Sequence, residues 1–209
     1  MLRWAPSLYS RLRDYRLERA HRAWVRSGRT VPSHVFKQTT LKEYAGRFHL
    51  DVFIETGTYL GDMVYATRNL FNEIYSIEVS PELYERSRLR FTPYKHIRIL
   101  KGDSTVVLPE LLRRLGRPAL FWLDGHYSAG VTGKSDKETP ILEELDHIFS
   151  HHITGHVVII DDARKFTGQD DYPTLQQLRQ FVSSKGPNYQ CEVANDLIRI
   201  TSSRRDRDA

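Results

Sequence analysis

The sequence predicts an α/β domain whose mostly parallel sheet carries helices on both faces, and three observations predict it. After residue 50, short apolar runs alternate with helical stretches, the order that parallel βαβ units produce. Several of these runs end in an acid or a glycine, as strands do where the carboxyl edge of a sheet opens into loops. The last two runs are separated only by Ala194, Asn195 and Asp196, close enough for an antiparallel hairpin at the sheet edge.

The elements follow in order along the chain. From Ser7 to about Arg26, the apolar residues Leu8, Leu12, Tyr15, Ala20 and Trp24 recur among arginines with a helical period, giving a basic amphipathic helix. Gly28 supplies its C-cap and Pro32 prevents its resumption. A short second helix spans about residues 40–48. Strands are predicted at 51–55, 73–77, 96–101, 119–123, 156–160, 189–193 and 197–201, with a helix at 63–71 after the first. A further helix at 140–149 puts Ile141, Leu142, Leu145, Ile148 and Phe149 on a core face, so Glu143 and Glu144 are expected in solvent. The organisation is a basic helical extension over 1–49, one ligand-binding domain over 50–201, and a disordered polar tail over 202–209.

Composition narrows the functional classes. A chain of 209 residues that is 40% hydrophobic can bury one full α/β core. No apolar stretch approaches the roughly 20 residues of a membrane span, and the N-terminus lacks a secretory signal, so a cytoplasmic protein is expected. Cys191 is the single cysteine, which excludes an internal disulfide and a thiolate metal site. The net charge of +5 is unevenly spread: residues 1–50 hold 11 Lys/Arg against 3 Asp/Glu. The remainder is slightly acidic. The basic helix therefore fits a solvated face, an acidic partner, an acceptor cap or a homodimer contact.

The first strand runs into Glu55-Thr56-Gly57-Thr58-Tyr59-Leu60-Gly61. Two glycines let the backbone turn tightly and let a ligand approach the amides at the next helix start. Dinucleotide sites space their glycines G-x-G-x-x-G to admit a pyrophosphate, whereas this loop reads G-x-x-x-G behind an acid. Glu55 would repel a pyrophosphate and attract an ammonium group. The second strand ends in Glu78, 21 residues after Gly57, where a carboxylate can accept from both hydroxyls of a ribose. After the third, Asp103 and Ser104 suit an adenine amino group and equally suit a helix cap.

The fourth and fifth strands also end in carboxylates, Asp124 in Leu123-Asp124-Gly125-His126 and the pair Asp161-Asp162. Neighbouring strand ends can bring Asp124, Asp161 and Asp162 together. An all-oxygen cluster of this kind suits Mg²⁺ or another hard divalent cation. The alternative is that the pair forms an Asx turn and Asp124 caps a loop. Arg164 and Lys165 follow the pair and suit an anionic acceptor; His147, His151 and His152 fit no metal spacing and are expected at the surface.

The E-x-G-x-x-x-G loop, the acid Glu78 and the Gly102-Asp103-Ser104 turn resemble the cofactor motifs of class I S-adenosylmethionine-dependent methyltransferases over about residues 50–201. That resemblance implies a Rossmann-like seven-stranded sheet in the order 3-2-1-4-5-7-6 with strand 7 antiparallel. It implies that Glu55, Gly57, Thr58 and Gly61 surround the methionine part of S-adenosyl-L-methionine, Glu78 its ribose, and Asp103 with Ser104 its adenine. The acids after strands 4 and 5 are similar to those of the divalent-metal-dependent O-methyltransferases of the catechol and macrocin types. By that likeness Asp124, Asp161 and Asp162 would hold the metal and Asp124 would serve catalysis. Where the catechol type has a lysine base this chain has Ser128, which leaves His126 as the candidate base.

The Gly- and charge-rich segment between Tyr127 and Thr139 suits a lid that brings Lys134 or Lys137 to the site. The expected partner is a small-molecule hydroxyl acceptor such as a sugar, glycoside or catechol. Nucleic acid is disfavoured because Asp124-Gly125-His126-Tyr127 replaces the [DN]-P-P-[YF] motif of base-amino methyltransferases. A non-catalytic cofactor-binding module is the alternative from another class.

Overall fold

A computed structural model describes residues 8–27, 31–124 and 139–202. The chain runs α1 (Leu8–Ser27), α2 (His34–Arg47), β1 (Val52–Thr56), α3 (Asp62–Thr67), β2 (Glu73–Glu78), α4 (Pro81–Phe91), β3 (Ile97–Lys101) and α5 (Ser104–Leu112). It continues through β4 (Leu120–Leu123), α6 (Ile141–Phe149), β5 (Val157–Ile160), a 3₁₀ turn (Ala163–Lys165), α7 (Leu175–Lys185), β6 (Tyr189–Ala194) and β7 (Leu197–Ser202). One seven-stranded sheet has the order β3-β2-β1-β4-β5-β7-β6. Strands β1 to β5 pair in parallel, and β7 is antiparallel to both β5 and β6. Sheet order and hairpin are those the sequence predicted.

The central strands are buried on both sides, so they read as continuous apolar runs instead of alternating ones. Their side chains divide by the period of two. Val52, Ile54, Phe121, Leu123, Val158 and Ile160 pack with residues of α5, α6 and α7. Phe53, Leu120, Trp122, Val157 and Ile159 pack on the opposite face with Leu41, Tyr44 and Ala45 of α2, Met63 and Val64 of α3, and Phe91 of α4. Helix α2, read from the sequence as part of an extension, thus covers one face of the domain core.

Element edges depart from expectation for local reasons. Helix α2 begins at His34, six residues before the predicted start, because Ser33 behind Pro32 caps it by accepting from the Phe36 amide at 3.2 Å. Helix α3 stops at Thr67, and Phe71, predicted within it, is buried in the turn that follows. Strand β4 starts after Ala119, whose amide donates to Nδ1 of the buried His156 at 3.1 Å. The ring of His151 hydrogen-bonds His156 Nε2 at 2.9 Å. His151 is therefore half-buried and structural, not the surface residue expected.

Ser33 also meets His21 Nδ1 of α1 at 2.7 Å, so one hydroxyl caps α2 and ties it to α1. Replacing Ser33 with alanine is expected to cost about 1 kcal/mol, read as an earlier urea midpoint by tryptophan fluorescence. An unchanged midpoint would show that the cap contributes nothing.

Candidate functional site

The turn after β1 is built from backbone strain that glycine relieves. Gly57 and Gly61 hold φ of 84° and 72°, and Tyr59 between them also lies in the left-handed region at 49°. At Gly61 a Cβ would sit 2.6 Å from Phe91 Cε2, so any side chain there meets both strain and a buried ring. The loop is held open from below: the amides of Gly57 and Thr58 donate to Ile77 O, and the Tyr59 amide donates to Glu78 Oε2 at 2.7 Å. Glu78 Oε1 accepts from the Ser80 amide at 2.9 Å. Burial raises the Glu78 carboxyl above its ordinary range, and the Ser80 and Tyr59 amides oppose that shift.

Period-two alternation then decides which acids share a face. Glu55 follows Phe53, Asp124 follows Trp122, and Asp161 follows Ile159, all residues of the α2 side. The Asp124 amide donates to Thr56 O and the Asp161 amide to Leu123 O, each at 3.1 Å, so the ladder phase continues past the strand ends. Glu55, Asp124 and Asp161 therefore form a row across β1, β4 and β5 at the carboxyl edge. Glu55 is 2% exposed, and its carboxyl accepts from Ser76, whose hydroxyl also bonds Thr58. Burial pushes Glu55 well above the usual carboxylate range, and Asp124, Glu78 and Asp62 add to the shift. A buried acid among acids favours a ligand that brings positive charge.

The metal expectation fares differently. Lys37 of α2 forms an ion pair and hydrogen bond with Asp161 Oδ2, and both side chains are largely buried. Burial first, and Asp124 second, push Asp161 up to about 6 against the pull of Lys37. Asp162, the next residue, falls outside the row by the same alternation and takes a left-handed φ of 56°. Its carboxylate faces Arg164 at 2.8 Å and Lys165 at 3.5 Å. Arg164 also pairs with Asp196 in the β6–β7 turn, which accepts from the Arg164 amide at 2.8 Å. Among the described residues no group of three His, Cys, Asp or Glu side chains is placed to hold a metal ion. Of the expected set, Asp124 and Asp161 share a face with Lys37, and Asp162 pairs with Arg164 and Lys165.

On the other face, Asp103 caps α5, accepting from the Thr105 amide at 2.8 Å and its hydroxyl at 2.7 Å. Glu144 of α6, expected in solvent, is 1% exposed. The helix turns it inward to the hydroxyls of Ser104 and Thr56, at the tip of β1. Burial raises its carboxyl to about 7, those hydroxyls oppose the shift, and Asp103 and Glu143 add to it. The pattern missed it because a charged residue flanked by core positions on a short helix was assigned outward by chemistry instead of angle. His126, Ser128, Lys134 and Lys137 lie outside the described residues.

No protein-family profile matches the chain, and no curated protein does. Solved structures of the same architecture do. The S-adenosylhomocysteine-bound methyltransferase PaMTH1 of Podospora anserina is 18% identical, with 97% of this chain and 98% of that one covered and a TM-score of 0.59. The O-methyltransferase TomG of Streptomyces achromogenes, solved with S-adenosylmethionine, is 16% identical over 89% and 88% at 0.58. An O-methyltransferase of Bacillus cereus in complex with S-adenosylhomocysteine is 13% identical over 79% and 80% at 0.59. The chain thus has the fold of the class I S-adenosylmethionine-dependent methyltransferases.

Glu144 gives a pH signature. A carboxyl raised from 4.5 to about 7 on folding stabilises fully below 4.5, and that contribution is lost as pH rises through 7. Between about pH 5 and pH 8, Glu144→Gln is expected to gain up to about 3 kcal/mol on wild type, measured by urea unfolding. Parallel pH profiles for the two proteins would refute the assignment.

Proposed function

We propose that the protein is an S-adenosylmethionine-dependent methyltransferase that acts on a hydroxyl of a small molecule, such as a sugar, glycoside or catechol-like acceptor. The observation that carries this reading is the group of acids beside a left-handed glycine turn, Glu55, Glu78 and Asp124 next to Gly57 and Gly61. Such a site repels phosphate and suits a ligand bearing an ammonium and a sulfonium. The cofactor supplies an electrophilic methyl group.

The chain's own residues divide the remaining work. Glu55 receives the ammonium, while Thr58 and the glycines shape the methionine pocket. Each oxygen of Glu78 has one amide partner in this structure and keeps a second lone pair, so the carboxylate can take both ribose hydroxyls without releasing the loop. Asp103 offers an oxygen, and Ser104 its hydroxyl, to the adenine edge. Asp124 lies on the acceptor side, and the imidazole of His126 is the proposed base for the acceptor hydroxyl. The missing [DN]-P-P-[YF] motif supports oxygen over a base nitrogen.

Calorimetric titration of S-adenosylhomocysteine is the direct test. Wild type is expected to bind in the micromolar range, and Glu78→Ala to lose at least about tenfold, the equivalent of one charge-assisted hydrogen bond. Absence of heat with wild type would leave the fold without this function.

A further inference from the structure

We propose that Lys37 is the resident cation of the acceptor site, standing where a divalent metal would otherwise neutralise the carboxylates and orient the acceptor oxygen. The inference rests on the methyltransferase reading for the identity of the acceptor, but not for the charge arrangement itself. Three observations support it. Lys37 lies 124 residues before Asp161 in the chain, yet its ammonium is in direct contact with Asp161 Oδ2. Its side chain is 16% exposed and that of Asp161 4%, so the pair is screened little by solvent and is not a surface ion pair. Asp162, which a metal would need as a third ligand, is held in the clamp of Arg164 and Lys165.

The geometry suits an ammonium better than an ion needing six oxygens. Asp161 Oδ1 accepts from the Asp162 amide at 2.8 Å, and Oδ2 is the oxygen that meets the Lys37 ammonium. A hard divalent ion would have to displace Lys37 from this oxygen and complete its shell with Asp124 and waters. An ammonium has three donors. One goes to Asp161, and the others suit an acceptor oxygen entering beside Asp124. Lysine thereby does two jobs: it keeps the acid row from repelling itself and offers a hydrogen bond to the incoming hydroxyl. It is a positioning residue, delivered by α2, whose start Ser33 fixes.

Mn²⁺ is the probe, followed by electron paramagnetic resonance of the free ion without acceptor, on wild type, Lys37→Met, Asp161→Asn and the Lys37→Met/Asp161→Asn double variant. Wild type is expected to leave the Mn²⁺ signal undiminished. Lys37→Met, with its two carboxylates uncovered, is expected to capture Mn²⁺, and the double variant to lose that capture. Capture by wild type that Asp161→Asn abolishes would overturn the proposal. So would a Lys37→Met protein that keeps its circular dichroism and S-adenosylhomocysteine affinity yet ignores Mn²⁺. Loss of S-adenosylhomocysteine binding in wild type, by contrast, bears only on the cofactor reading, because Mn²⁺ capture is measured without it.

Discussion

Carboxylates side by side in a half-buried edge must be neutralised, by protons or by something positive among them, and the carboxyl edge of this sheet is arranged around that constraint. Strand alternation places Glu55, Asp124 and Asp161 on one face. Amide and hydroxyl donors from Ser76, Tyr59 and Ser80 stabilise Glu55 and Glu78 where they stand. An ammonium from a remote helix meets Asp161. The left-handed turn at Tyr59 serves the same end, since it brings a backbone donor to Glu78. What the edge still favours is a cationic guest.

Much of this was legible in the sequence because it is local. Parallel strands buried on both faces announce themselves as short apolar runs, and acids at their ends mark the edge where ligands bind. Glu55, Glu78, Asp124 and Asp161 were singled out that way. Asp162 was grouped with them from neighbouring strand ends and the resemblance to a paired-acid metal motif, although the period of two puts it on the opposite face from Asp161.

The unread parts depend on contacts between distant segments. Nothing around Lys37 in its own helix marks it as different from Lys42, and only the packing of α2 on the sheet brings it to Asp161. Glu144 is hidden for a related reason: its inward angle is settled by where α6 lies over β1 and α5, and its partners Thr56 and Ser104 come from those two elements. His156 shows the same effect on secondary structure, since a side chain takes the amide of Ala119 just ahead of β4. Charged residues on buried helix faces are worth placing by angle before chemistry.

The clamp of Arg164 between Asp162 and Asp196, together with the Ala163 amide donating to Asp196 O, fastens the exit of β5 to the turn of the final hairpin. Strand β7 lies between β5 and β6, so β5 is an unprotected edge until the last residues of the sheet arrive. The hairpin that completes the sheet thus also anchors the segment directly after the acid row: a contact made at the far end of the chain holds Asp162 where it stands.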